Sequence, residues 1–154
     1  MTGDDDRAKA ARTPRSVELD AVEALRLLGS VALGRIVFTQ HALPAIRPVN
    51  HVLVDGEIVL RTHGDAALTR YTRRNEAEGA VVAYEADDID PATHLGWSVV
   101  VTGYARLVTD PTELARYRDV LRPWVSQRMD HAVRISPVLV TGVRLAADGP
   151  PPAG

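Results

Sequence analysis

The feature that most constrains the fold is a hairpin signature in the segment 52–60, which reads VLVDGEIVL. Two apolar, β-branched runs flank the dipeptide Asp55-Gly56. A two-residue type I′ turn needs positive φ at both central residues, and Asp-Gly adopts that conformation at low cost. Because such tight turns join antiparallel strands, the segment predicts an antiparallel sheet in the middle of the chain.

Other segments rich in β-branched and apolar residues predict further strands. They are residues 17–19, 31–39, 45–54, 79–85, 97–108, 131–135 and 138–145. Pro48 lies inside the third of these segments. Because proline cannot donate to a β-ladder, Pro48 indicates an edge, a bulge or a kink at that point.

Helix-start signals occur at two places between the strands. Asp20 and Asp110 each stand three residues before a glutamate, the spacing of a capping box. They predict helices over 20–28 and about 111–121, and apolar spacing predicts a third helix within 64–74. Strands and helices do not alternate as βαβ units, so the pattern favours an α+β fold built on a small antiparallel β-barrel.

The length of 154 residues predicts one domain. Residues 1–15 are small or charged, and residues 148–154 are rich in Pro and Gly. We therefore expect a folded body over 16–147 between two disordered tails.

Composition excludes several classes of protein. The chain has no cysteine, which rules out disulfides, thiolate metal sites and a cysteine nucleophile. The net charge of −2 gives no basic excess for nucleic acid or anionic membranes. Neither a secretory signal nor an apolar run long enough for a membrane span is visible, so we expect a cytoplasmic protein.

The sequence contains no familiar catalytic or metal-binding motif. Its five histidines lack HExxH spacing, and G-x-S-x-G, Walker A and G-x-G-x-x-G patterns are absent. We therefore predict no metal site and assign no catalytic residue. The segments 45–51 and 60–68 carry the most informative polar residues. In the second, Arg61 precedes a loop and a helix start, which suits phosphate binding, although a plain surface arginine fits equally well.

Seven short motifs are distributed along the chain. They are Gly34–Phe38, Pro44–His51, Ile58–Thr62, Asp90–Thr93, Gly96–Val101, Arg134–Pro137 and Val140–Gly142. In these motifs the chain resembles the FMN-binding split barrels of the pyridoxamine 5′-phosphate oxidase type, especially the small actinobacterial and nitroimidazole-resistance-like branch. The motifs occur in the family's order and span about residues 17–145.

The resemblance implies a six- to seven-stranded antiparallel split barrel with two or three short helices. It also implies a homodimer with two FMN sites between the subunits. The strand at residues 47–50 would lie along the flavin ring, the segment 61–68 would hold the phosphate, and Trp97 would approach from the partner or pack the interface. The implied cofactor-binding residues are Arg47, Pro48, Val49, Asn50, Arg61, Thr62, His63, Ala67, Leu68 and Trp97.

One departure from the family concerns the phosphate. Relatives often carry Ser/Thr-Lys before the leucine that corresponds to Leu68, whereas this chain has Ala66-Ala67. Loss of that charge-assisted bond costs about 1.5–3 kcal/mol, or tenfold to a hundredfold in affinity. Arg61, His63 and Arg70 are the residues that can compensate; otherwise the site takes the deazaflavin F420 or no cofactor.

Two functions follow from these observations. The first is an FMN-dependent oxidoreductase acting on a small molecule that the sequence does not identify, with His51 and His63 as the available proton donors. The second is a non-catalytic dimeric module that binds F420, haem, another planar ligand or nothing. Arg47–Asn50 and Arg61-Thr62 favour the first, and Ala66-Ala67 favours the second.

Overall fold

The computed structural model describes residues 13–63, 66–122 and 129–147. Within these ranges the chain forms seven strands and three helices. The strands are β1 (Arg15–Glu18), β2 (Leu33–Gln40), β3 (Leu43–Val54), β4 (Glu57–Thr62), β5 (Ala80–Ile89), β6 (Gly96–Leu107) and β7 (His131–Ala146). The helices are α1 (Ala21–Gly29), α2 (Ala67–Arg74) and α3 (Pro111–Val120). None of these helices is long and apolar enough to cross a membrane.

All the strands pair antiparallel in the order β1-β7-β4-β3-β2-β5-β6, and an added β6–β7 pairing closes the barrel. Strand β3 pairs with β2 along residues 43–50 but with β4 only along residues 51–54. One side of residues 43–50 therefore has no partner strand, and this gap is the split in the barrel. The predicted α+β split-barrel class is confirmed.

Local turn and cap signals form as the sequence predicts. Asp55 and Gly56 have φ values of 50° and 79°, as a type I′ turn requires. The Asp20 carboxylate accepts a hydrogen bond from the Glu23 amide at 2.8 Å, and Asp110 accepts one from the Thr112 amide at 2.8 Å. These bonds satisfy amides that the first turn of a helix otherwise leaves unpaired.

The end of the chain differs from the prediction of two strands, because residues 131–146 form the single strand β7. Its register with β6 shifts between Thr102 and Gly103, which pair with Leu139 and Pro137. Residue 138 is therefore an extra residue in the ladder, and Pro137 lies at an irregularity that tolerates its missing N–H. A bulge takes up the proline without ending the strand.

The interior of the barrel is the main core, lined by one face of every strand from β2 to β7 and closed by Leu28 and Leu68 from two helices. A smaller cluster forms outside the barrel between α3, β4 and β7 and contains Val59, Tyr117 and Ala132. Alternate residues of β4 therefore face different cores.

Candidate functional site

The unpaired side of β3, residues 43–50, is called the open edge below. The His51 amide donates to the Ala32 carbonyl at 2.9 Å, so odd-numbered residues of β3 bond to β2. Even-numbered residues turn their backbone groups to the open edge. Pro44 and Pro48 have no N–H. The backbone donors of the open edge are therefore the amides of Ile46 and Asn50. The expectation that Pro48 marks an edge is confirmed.

The exposed side chain of Arg47 lies over this edge. Its guanidinium carbon is 5.8 Å from the centre of the Phe38 ring, and Nη1 donates to the Ile46 carbonyl at 2.9 Å. Nη2 contacts the Gln40 side-chain oxygen at 3.4 Å. The next predicted residues follow along the strand, with Pro48 exposed and Val49 packed against the core. Arg47 thus places a positive charge beside the open edge.

Asn50 and Arg61 lie beside the chain that follows α3. Asn50 Nδ2 donates to the Arg122 carbonyl at 2.8 Å. The Arg61 guanidinium donates to the carbonyls of Leu121 at 3.1 Å and Met129 at 2.5 Å. Burial is the main factor that lowers the pKa of Arg61. Arg61 therefore joins the chain after α3 to the chain before β7, on the outer face of β4.

Thr62 and His63 instead anchor the start of α2. The His63 carbonyl accepts from the Thr69 hydroxyl at 2.7 Å and from the Ala66 amide at 3.1 Å. The Thr62 hydroxyl contacts the Thr69 hydroxyl and donates to the same carbonyl at 3.2 Å. Leu68 is buried at 5% exposure and anchors the helix from below. The end of β4 and the first turn of α2 are therefore fixed to each other.

The N-terminus of α2 differs from those of the other two helices. Ala66 occupies the N-cap position and makes no side-chain capping bond, whereas Asp20 and Asp110 cap α1 and α3. Among the described residues no side chain caps its first amides, which can therefore donate to an anion. Basic residues Arg73 and Arg74 lie in the last turn.

A cleft of about 290 Å³, called the α2 cleft below, lies between this helix and the turn that joins β2 to β3. It is lined by Thr39, Gln40, His41, Ala67, Arg70, Tyr71 and Arg74. Gln40 also contacts Arg47, so the cleft adjoins the open edge. The lining positions 67, 70, 71 and 74 share one helical face, a spacing visible in the sequence. Sequence reasoning identified Ala67 and Arg70 but missed Arg74, Tyr71 and His41.

His51 is buried, contrary to its expected role as a proton donor. It is 3% exposed, its Nε2 is 2.8 Å from the Leu28 carbonyl and its Nδ1 is 2.5 Å from the Tyr84 hydroxyl. The carbonyl can only accept, so Nε2 carries the proton and Nδ1 accepts from Tyr84. Burial lowers the pKa of His51, which keeps the imidazole neutral. His51 joins β3, β5 and α1 and is not available to a ligand.

Trp97 lies in the main core of its own chain at 6% exposure. The structure thus groups Arg47–Asn50 along the open edge and places Ala67 in the adjoining cleft. Arg61 lies at the Asn50 end of that edge but is bonded to backbone carbonyls, and Trp97 lies apart in the core. In the part of the chain that the structure describes, no three His, Asp or Glu side chains are grouped to hold a metal ion.

Comparison with known proteins identifies the family. The model of the pyridoxamine 5′-phosphate oxidase family matches residues 20–144. An uncharacterized Mycobacterium tuberculosis protein, Rv0080, is 53% identical over 146 residues, covering 95% of this chain and 96% of the relative.

Two solved structures agree with this assignment. An FAD-binding protein of Mycobacterium smegmatis is 36% identical with a TM-score of 0.67, covering 84% of this chain and 98% of its own. A protein of Corynebacterium glutamicum, provisionally assigned as a pyridoxamine 5′-phosphate oxidase, is 31% identical with a TM-score of 0.69. The match covers 89% of this chain and 97% of that protein. The chain therefore belongs to the pyridoxamine 5′-phosphate oxidase-like family.

Proposed function

We propose that this chain is a flavin-dependent oxidoreductase whose flavin ring lies along the open edge of β3. The observation that carries the proposal is the unpaired backbone of residues 43–50 beside an uncapped helix N-terminus. A flavin ring has a polar edge of alternating acceptors and donors, and a ribityl phosphate follows it. The open edge offers both kinds of backbone group, and the start of α2 offers amides for the phosphate.

Arg70 is the best candidate to replace the missing lysine. Of the three compensating residues, Arg61 donates to two backbone carbonyls and His63 holds the start of α2 through its own carbonyl. Arg70 lines the same cleft as Ala67 and lies one helical turn further on. In the described ranges no carboxylate pairs with Arg70, which leaves its guanidinium available for a phosphate.

The similar FAD-binding protein of M. smegmatis supports a flavin nucleotide for this chain as well. A bound flavin supplies the electron and hydride chemistry. The chain orients the ring, places Arg47 beside it and neutralises the phosphate. With His51 buried, no described side chain is assigned as a general acid or base.

The proposal includes a homodimer, and a mostly apolar row on the outer face of the barrel supports it. Cross-strand neighbours Ile46, Val37, Ala83, Thr102 and Leu139 run in register across five strands. Ile46 and Leu139, at the two ends of the row, are 57% and 58% exposed, and the three residues between them are half-buried. Large exposed apolar side chains on one face of a sheet are typical of an interface. Ile46 belongs to both the row and the open edge, so a partner would adjoin the flavin.

The dimer is tested by sedimentation velocity of Leu139→Asp. A charge in a self-complementary apolar interface is repeated on both subunits, so we expect the variant to dissociate at micromolar concentration. Val22→Asp is the matched control, because Val22 is 81% exposed on α1 and lies outside the row. Dimers that persist equally in both variants would contradict this interface.

The flavin proposal is tested by the spectrum of the purified protein before and after incubation with FMN and FAD. We expect flavin absorption that a chemical reductant bleaches and air restores. A colourless protein that neither flavin reconstitutes would overturn the proposal. Binding of F420 or haem in its place would support the non-catalytic or deazaflavin alternative.

A further inference from the structure

We propose that the α2 cleft receives the second phosphate and the adenosine of a flavin dinucleotide, so that the chain binds FAD in preference to FMN. The inference rests on the proposed function and extends it, because it assigns a binding role to residues beyond the flavin ring and its first phosphate.

The size of the α2 cleft favours a nucleotide half over a single phosphate. The cleft has a volume of about 290 Å³, near the lower end of small-molecule sites. A single phosphate at the start of α2 would leave most of this space open. A nucleotide half, consisting of a phosphate, a ribose and a purine, would fill more of it.

Charge is the second argument. Arg70, Arg74 and His41 line the cleft, and none of its lining residues is acidic. In the described ranges neither arginine forms an ion pair. The chain as a whole carries a net charge of −2, so this concentration of positive charge is local. Two phosphates joined in a diphosphate match two arginines one helical turn apart.

Position is the third argument. Ala67 lies at the uncapped start of α2, Arg70 follows one turn later and Arg74 a further turn on. The first phosphate at the helix start would therefore meet Arg70, and the second would meet Arg74. Tyr71 lines the cleft between them and is held by its hydroxyl bond to the Val81 carbonyl at 2.8 Å. A fixed aromatic ring beside the phosphates offers a surface on which a purine can stack.

The test is a pair of titrations, with FAD and with FMN, followed by quenching of flavin fluorescence. We expect wild-type protein to bind FAD at least tenfold more tightly than FMN. Arg74→Gln should weaken FAD about tenfold and FMN less than twofold, because it removes a charge-assisted bond that only FAD makes. His41→Asn should act in the same direction, and asparagine tolerates the φ of 52° at that position.

Arg73→Gln is the matched control. It removes the same charge from the same helix at an exposed position outside the cleft, and circular dichroism checks that every variant is folded. Equal wild-type affinities for FAD and FMN would overturn the inference and leave the proposed function standing. Equal weakening of FAD by Arg73→Gln and Arg74→Gln would also overturn it, because bulk charge would explain both. Failure of both flavins to bind would overturn the proposed function and the inference with it.

Discussion

The two halves of β3 belong to one strand but differ in how they pair and pack. Residues 43–50 pair on one side only, and five of these eight residues are exposed: Leu43, Pro44, Ile46, Arg47 and Pro48. Residues 51–54 pair on both sides, and His51 is buried against Leu28 and Tyr84. The first half leaves backbone groups and the charge of Arg47 exposed, and the second half holds the strand in place.

This difference shows how a bare strand edge can be kept in position without a neighbour. An unpaired edge invites aggregation, and two prolines at alternate bonding positions remove half of its donors. The His51–Tyr84 bond fixes the strand from inside the barrel, directly after the last residue of the open edge. The open edge is therefore supported by groups that are buried inside the barrel.

We expect the largest loss of stability from Gly34→Ala, which disturbs the packing of Tyr84 beneath β3. Gly34 pairs with Val49, and a Cβ atom there would lie 2.4 Å from the Tyr84 hydroxyl. Tyr84 is fully buried, and its hydroxyl is bonded to His51 Nδ1. We expect a loss of about 2–3 kcal/mol in the free energy of unfolding, measured by urea denaturation.

Gly56→Ala is the control for Gly34→Ala. Its φ is 79° and nothing lies within 4 Å of the new Cβ, so only backbone strain of about 1 kcal/mol is expected. Equal losses in the two variants would show that contact with Tyr84 does not limit position 34.

Tyr84→Phe tests the hydrogen bond alone. It leaves the buried His51 Nδ1 without a donor, so we expect a loss of about 1–2 kcal/mol in the free energy of unfolding. Tyr71→Phe removes a hydroxyl from a bond at the surface and should cost less than about 0.5 kcal/mol. A Tyr84→Phe variant as stable as Tyr71→Phe would mean that His51 does not depend on this bond.

Local signals predicted much of the fold. The Asp55-Gly56 turn and the capping aspartates Asp20 and Asp110 form as expected because each acts within a few residues of chain. The continuous strand β7 was not predicted, because a bulge opposite Gly103 accommodates Pro137 and depends on the distant strand β6.

The candidate site was predictable only in outline. The open edge follows from prolines visible in the sequence. The partners of Arg61 and His51 are not visible there, because Leu121, Met129 and Tyr84 lie 33 to 68 residues away in the chain. Tertiary contacts therefore decided which polar residues lie at the candidate site and which hold the fold.

Ala67→Lys tests whether the start of α2 binds the flavin phosphate. It restores a positive charge at the start of α2, in a cleft already lined by Arg70. We expect FMN affinity to rise about tenfold with little change in stability. Arg73→Lys keeps the charge of an exposed residue outside the cleft and should leave FMN affinity unchanged. No gain from Ala67→Lys would place the phosphate elsewhere.

The smallest expected effect is the pH dependence of stability that Glu85 causes. Glu85 lies in the cross-strand row that joins it through Arg35 to Pro48 of the open edge. Burial, and then the neighbouring Asp87, raise the pKa of Glu85 from 4.5 to about 7. The folded state thus binds this proton more tightly than the unfolded chain does. Stability should fall as pH rises from about 4.5 to about 7.

Glu85→Gln removes the group that titrates, so its melting temperature should vary less over that pH range and exceed that of the wild type at pH 8. Asp88→Asn makes the same charge change at an exposed carboxylate on the same strand. If Asp88→Asn flattened the profile as much as Glu85→Gln, net charge would be the cause and Glu85 would have no special role.

The central claim is that the unpaired half of β3 and the start of α2 hold a flavin, while the paired half only supports them. Titration of the ¹⁵N-labelled protein with FMN, followed by amide chemical shifts, tests this directly. Flavin bound at this site should shift the Ile46, Asn50 and Leu68 amides most, with small shifts at Leu53 and Val54. Saturable binding that leaves Ile46 and Asn50 unmoved, or moves the paired half equally, would contradict it.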